Sequence, residues 1–264
     1  MDSIFVACRL AVFTLLMASP AAAICPGFGP QTPRAISNAY GRNPVRFGMA
    51  PPASEMQLCN IHTHTNAEHM GPGVSIFAGD GDHGGFKCAG SNSLTDAERT
   101  RPKDSHGGFH GVEPGDTIEV HWVYSTCNVG PGKGLGACLS DGCANPQLRV
   151  ESQVFLVVND PNALNFLDFA HRGTTRNGLH QPRSLPTGTG APVVFRGSTT
   201  GTAYDQTTCS PLQVTWSVRP RCARLDTAGA EPDARHRVDP LRSGLHRLRH
   251  LGHRRDLLDR HPRR

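Results

Sequence analysis

Three histidines stand at spacings that suit metal chemistry. In Cys59-Asn60-Ile61-His62-Thr63-His64-Thr65 two histidines are separated by one residue. On a strand, residues two apart project from the same face with α-carbons about 6.7 Å apart, so both imidazoles can reach one ion at about 2 Å. By itself such a pair is equally at home on a solvent-facing strand. A second stretch, Asp116-Thr117-Ile118-Glu119-Val120-His121-Trp122-Val123, changes the balance. Alternation puts Thr117, Glu119, His121 and Val123 on one face and Ile118, Val120, Trp122 and Tyr124 on the other. The second face is apolar core, so the first borders either solvent or a polar cavity. If it borders a cavity, His121 supplies a third neutral nitrogen, and a nearby carboxylate can hold a ligand imidazole by its other ring N–H. Three histidines with one open position are the ligands of a catalytic rather than a structural zinc.

The elements that must carry these side chains are strands. Leu58 to His64, Thr117 to Tyr124, Val150 to Val158 and Gln213 to Val218 are short, alternating and rich in β-branched residues. Pro114-Gly115-Asp116 is a turn into the second, and Asn159-Asp160-Pro161-Asn162 ends the third. Helical signals are weak, the best being Ser93 to Arg99, with Ser93 as the expected cap. Gly71 to Gly90 and Ala170 to Gly190 read as surface loops. With 29 Gly and 21 Pro in 264 residues, the expectation is a mainly β single domain with long loops and few short helices.

The combined motifs point to a family. His62-x-His64, then Glu68-His69, then Glu119-x-His121 resembles the α-type carbonic anhydrases. The wording Asn-Ile-His-x-His-x-Asn-Ala-Glu-His-x-Gly from Asn60, with Ile-Glu-Val-His-Trp-Val from Ile118, resembles the δ class. The stretches Phe195-Arg196-Gly197-Ser198-Thr199-Thr200 and Cys209-Ser210-Pro211-Leu212-Gln213-Val214-Thr215-Trp216 extend the resemblance, which spans roughly Cys59 to Pro220. It implies a central, largely antiparallel sheet and a zinc ion, replaceable by ions such as cobalt(II), on His62, His64 and His121. The implied reaction is reversible hydration of carbon dioxide to bicarbonate and a proton by metal-bound hydroxide. Glu119 matches the carboxylate behind the third ligand. Glu68 resembles the buried glutamate that orients a gatekeeper threonine, for which Thr199 and Thr200 are preferred over Thr207 and Thr208.

Val123, on the ligand face, is expected to line the substrate pocket, with Val154 and Leu156 as further candidates for which plain core is the ordinary reading. A proton shuttle could be His69, His83, His106 or His110. Two other readings remain open. His62, His64, Glu68 and His121, with Pro114-Gly115 upstream, loosely fit a cupin barrel holding manganese or iron. A secreted β-sandwich binding module would make the histidines incidental.

The ends differ from the body. Arg9, the apolar run Leu10 to Ala18, Pro20 and Ala21-Ala22-Ala23 form a signal-peptide pattern with cleavage expected after Ala23, and the run is too short for a membrane span. The expected location is secreted or periplasmic. The eight cysteines after that point are Cys25, Cys59, Cys88, Cys127, Cys138, Cys143, Cys209 and Cys222. None forms a Cys-x-x-Cys pair, so disulfides are favoured over thiolate metal sites, with connectivity open.

The formal charge of +5 belongs to Arg224–Arg264, which holds 11 Arg, no Lys and 6 acidic residues. The remainder is balanced, with 16 basic and 16 acidic residues, which suits a small uncharged substrate and gives no sign of a nucleic-acid partner. Residues 223–264 read either as a basic tail or as GC-rich coding sequence translated in a shifted frame, and they lack a periodic apolar face. The domain is accordingly expected over residues 24–222.

Overall fold

A computed structural model describes residues 48–79, 84–101, 109, 111–143, 146–198 and 213–227. Thr199, Thr200, Thr207, Thr208, His83, His106, His110, Cys25, Cys209, the signal-peptide pattern and most of the Arg-rich tail lie outside them. The strands are β1 (Gln57–Thr65), β2 (Val74–Phe77), β3 (Phe86–Cys88), β4 (Thr117–Ser125), β5 (Leu148–Val158), β6 (Thr175–Arg176), β7 (Leu179–His180), β8 (Val193–Ser198), β9 (Gln213–Val218) and β10 (Ala223–Asp226). Six form one sheet in the order β1-β4-β5-β9-β8, with β10 also on β5. Three of its pairings are antiparallel, β1–β4, β4–β5 and β8–β9, and two are parallel, β5–β9 and β5–β10. The sheet is therefore mixed, within a mainly β fold of few short helices.

All four strands expected from the alternation are present. The register of β1 on β4 explains how one strand carries both core and site. It shifts at Cys59, between Leu58↔Tyr124 and Asn60↔Val123. The extra residue of this bulge reverses the alternation. Leu58 and Ile61 thereby share the core face with Tyr124 and Trp122, while Asn60, His62 and His64 share the other with Val123, His121 and Glu119. The core face packs Leu58, Ile61, Ile118, Val120, Trp122, Tyr124, Phe155 and Val157 with Phe109, Phe166 and Phe169. Trp122 is fully buried, and its indole N–H donates to the Phe169 carbonyl at 2.9 Å, so this large side chain leaves no orphaned donor.

Three expectations change. The Gly71–Gly90 stretch contains the β2–β3 hairpin, which closes over the far end of β5. The Ala170–Gly190 stretch contains the short β6–β7 hairpin. The helical turn is α1 (Asp96–Arg99), capped by Thr95, whose hydroxyl accepts from the Glu98 N–H while Glu98 reaches back to the Thr95 N–H. Ser93 instead closes the preceding 3-10 turn Ala89–Ser93, where its hydroxyl donates to the Gly90 carbonyl, two residues short of the capping position.

Among the described residues, three disulfides join Cys59 to Cys138, Cys88 to Cys222 and Cys127 to Cys143. Residues 223–226, assigned from sequence to the tail, are a strand of the main sheet, and Leu225 is completely buried.

Candidate metal centre

β4 is buried along its whole length, so its histidine-bearing face borders the protein interior rather than solvent. His62 and His121 are direct register partners, and His64 faces Glu119 across the same two strands. This brings three ring nitrogens together. His64 Nε2 lies 3.1 Å from His121 Nδ1, which lies 3.3 Å from His62 Nε2. Tetrahedral coordination at a Zn–N distance of 2.0–2.1 Å separates ligand atoms by about 3.4 Å, close to these spacings.

The opposite nitrogen of each ring faces an acceptor. His62 Nδ1 meets Asn60 Oδ1 at 2.6 Å, and the Asn60 amide is held in turn by donating to the Gly132 carbonyl at 2.9 Å. His64 Nδ1 lies 3.4 Å from Glu68 Oε1. His121 Nε2, buried and without a hydrogen-bond partner, lies 3.4 Å from Glu119 Oε1. Protons on these outer nitrogens leave three lone pairs directed at one point, an arrangement that is repulsive unless a cation occupies it.

The electrostatics favour neutral rings at His62 and His64. Burial, and after it the neighbouring rings of His64 and His121, holds His62 well below the ordinary histidine pKa. Burial also lowers His64, against the pull of Glu68. Neutral imidazole is the state that binds metal.

Glu119 anchors the rear of the site. It is completely buried on β4, accepts from the Glu68 backbone N–H at 2.6 Å and from His69 Nδ1 at 2.9 Å, and also accepts from the Ser152 hydroxyl. Burial pushes its pKa up, but the electrostatic pull of the neighbouring His121 and His69, together with the His69 hydrogen bond, outweighs it, so the carboxyl stays well below its usual range. For His69, burial lowers the pKa while Glu119 raises it, and the net shift is upward.

A backbone feature delivers Glu68 and His69 to this carboxylate. Asn66 adopts a left-handed conformation (φ 61°) at the end of β1, and its N–H donates to the Thr117 carbonyl at 2.8 Å. Asparagine tolerates that region better than most residues. The returning chain passes against Gly85, where a Cβ would stand 2.2 Å from the Ala67 carbonyl oxygen, so only glycine fits.

An apolar wall flanks the histidines. Val123 packs with Val150, Val214, Trp216 and Val218, and the Trp216 ring lies 5.0 Å from His121 and 4.8 Å from His69. Val154 and Leu156 belong to a different cluster with Ala67, Val74 and Cys88, packed beneath the β2–β3 hairpin.

The family model described as Delta carbonic anhydrase matches residues 53–229. The chain belongs to the delta carbonic anhydrase family. Neither the curated proteins nor the solved structures include a significant match to it. The matched segment covers the bulge, all three histidines, Glu119 and β10. The cupin ligand set does not assemble in this delta carbonic anhydrase fold. Glu68 approaches His64 from the nitrogen that faces away from the other rings, and its metal-type neighbours are His69, Glu119 and His121. Among the described residues the strands form one six-stranded sheet and two short hairpins, not the two packed sheets of the binding-module reading.

Of the residues expected from sequence, His62, His64 and His121 converge, Glu119 lies behind His121, Val123 lies in the adjoining wall, and Glu68 is half-buried beside His64. Asn60, His69 and Ser152 complete the set of polar contacts. Asn60 was accessible to sequence reasoning, being two residues before His62 on the same face. Ser152 carries no local signal.

Proposed function

We propose that this protein catalyses the reversible hydration of carbon dioxide to bicarbonate and a proton, with a zinc ion held by His62, His64 and His121. The observation that carries the reading is the convergence of His64 Nε2, His121 Nδ1 and His62 Nε2 at 3.1 and 3.3 Å. When bound, zinc lowers the pKa of its water to about 7, the behaviour for which carbonic anhydrases are the standard example.

The remaining work falls to side chains of this chain. Asn60 holds His62 by its outer nitrogen, while the Glu68 and Glu119 carboxylates stand 3.4 Å from the outer nitrogens of His64 and His121. Val123, Val150, Trp216 and Val218 offer an apolar surface to an uncharged substrate and keep bulk water away. His69, with Nδ1 committed to Glu119, acts as a positioning residue. Thr199 or Thr200 supplies the hydroxyl that orients the attacking water, with Glu68 as its acceptor.

We assign the mature protein to an extracytoplasmic compartment after cleavage following Ala23. The three disulfides support that location, and no helix among the described residues is long and apolar enough to cross a membrane. The deciding experiment pairs zinc determination on purified protein with a stopped-flow carbon dioxide hydration assay. One zinc per chain and chelator-sensitive hydration are expected; full hydration by metal-free protein would overturn the assignment.

A further inference from the structure

On the face of the sheet opposite the histidines lies a buried polar row that the proposed chemistry does not use. Strand register builds it: Tyr124 on β4 faces Arg149 on β5, Trp122 faces Glu151, and Glu151 faces Ser217 on β9. Arg219, two residues after Ser217, extends the same row. The sheet itself separates this row from His121, whose register partner on β5 is Ser152.

The charges in the row do not balance. One Glu151 carboxylate oxygen accepts from Arg149 Nε at 2.8 Å, and the other accepts from the Ser217 hydroxyl at 2.8 Å and from Arg219 Nη1 at 3.2 Å. Arg219 Nε donates to the Pro186 carbonyl at 3.0 Å, so the chain between β7 and β8 roofs the cluster. The side chains of Arg149, Glu151 and Arg219 are only 13%, 7% and 8% exposed. Two guanidiniums therefore share one carboxylate away from water. Arg176 on β6, held by the Pro182 and Arg183 carbonyls, brings a third positive charge near the Tyr124 phenol. Surplus charge in such a setting is costly unless a counter-charge joins it.

Tyr124 supplies a second, independent observation. It is fully buried, and among the described residues its hydroxyl has no hydrogen-bond partner. Both oxygens of Glu151 are already engaged, so that carboxylate does not serve it. Burial, and after it the Glu151 charge, raises the Tyr124 pKa, and the phenol keeps its proton as a donor. Water would satisfy the phenol alone, whereas an anion answers both the phenol and the surplus charge.

We infer that the Tyr124 hydroxyl, Arg149 and Arg219 bind a small monovalent anion, of the size of chloride or bicarbonate, on the face of the sheet opposite the histidines. Arg149, the most exposed of the three side chains, stands at the entrance. Beyond its Nε bond to Glu151, its guanidinium makes no hydrogen bond to the described residues, which leaves its outer N–H groups for the ligand. This inference does not depend on zinc or on hydration.

The test uses the full-length protein and two readouts. Crystals soaked in sodium bromide are expected to show an anomalous peak within hydrogen-bond reach of Tyr124 Oη and the Arg149 guanidinium. Bromide found only elsewhere, or not at all, would overturn the site. In solution, thermal melts in sodium chloride, sodium bicarbonate and sodium gluconate are compared at one pH and ionic strength. Chloride or bicarbonate is expected to raise the melting temperature above its value in the bulky gluconate, and the one acting at lower concentration is the ligand. In Tyr124→Phe, measured against its own gluconate baseline, the same rise should need a concentration at least about 10-fold higher. Because this variant leaves the histidines intact, anion effects at the metal centre are common to both proteins. Equal concentration dependence in the two, or no rise with either anion, would overturn the assignment.

Discussion

Glu119 Oε1 and His69 Nδ1 lie 2.9 Å apart, joining a completely buried carboxylate on β4 to a ring carried round by the left-handed turn at Asn66. With Ser152 and the Glu68 backbone on the same carboxylate, Glu119 has no freedom to rotate away from His121. The three-histidine cluster is held from behind by contacts that span β4, β5 and the turn after β1.

Replacing His121 with alanine is expected to abolish carbon dioxide hydration and strip the protein of zinc, because two nitrogens cannot close the tetrahedral site. Zinc content and hydration rate on the same preparation check this. Retained activity in the variant would remove His121 from the centre.

The support behind the ligands has a smaller effect. Glu119→Gln keeps the size but loses the charge that faces His121 and His69, and zinc affinity should fall about 10- to 100-fold. Asn60→Leu, which removes the acceptor on His62 Nδ1, should fall in the same range. Competition with a chromophoric chelator measures both.

The His69–Glu119 pair sets a pH window. His69 is raised above its ordinary value of 6.5, so its contribution to stability is fully present below about 6.5 and is lost as pH rises through the folded value. Glu119 is depressed below 4.5, so its contribution is present above about 4.5 and is lost as pH falls through the folded value. The stability advantage of the wild type over His69→Gln should therefore be greatest between these limits and shrink on both sides. Thermal melts from pH 3 to 9, at matched metal content, test it; a constant difference across that range contradicts the pairing.

What sequence reasoning could see here follows from how local each signal is. His62, His64, Glu119 and His121 were visible because strand alternation fixes the face within a single segment. Ser152 was not, since its contact with Glu119 depends on the register between β4 and β5. The β2–β3 hairpin was hidden by glycine-rich neighbours. β10 was hidden by its setting at the start of an Arg-rich stretch, and its parallel pairing with β5 leaves no turn signal beside it. The cap at Thr95 was misplaced by two residues because Ser93 is an equally good cap by type.

The Cys88–Cys222 bond ties β3 to the residue just before β10. Replacing both cysteines with alanine should cost roughly 2–5 kcal/mol, read as a lower denaturation midpoint in urea. An unchanged midpoint would make the bond incidental to stability.

Two truncations separate the strand from the tail. A chain ending at Thr227 should fold and hydrate carbon dioxide as well as the full-length protein. One ending at Cys222 loses β10 and the buried Leu225, a side chain worth about 1.5–3 kcal/mol by burial alone, and should melt lower. Equal melting of the two would remove β10 from the cooperative unit, and lost activity at Thr227 would give the tail a role.

β5 carries both β9 and β10 on one edge, β9 along Leu148–Ser152 and β10 along Phe155–Val158. Both arrive from the last described stretch, Gln213–Asp226, so the strand that donates Ser152 to Glu119 is not fully flanked until nearly all the domain has been synthesised. Pairings of such long sequence separation form late and slowly. Until those strands arrive the nascent chain holds β5 by β4 alone, so the Ser152 support behind Glu119 is secured only as the domain is completed.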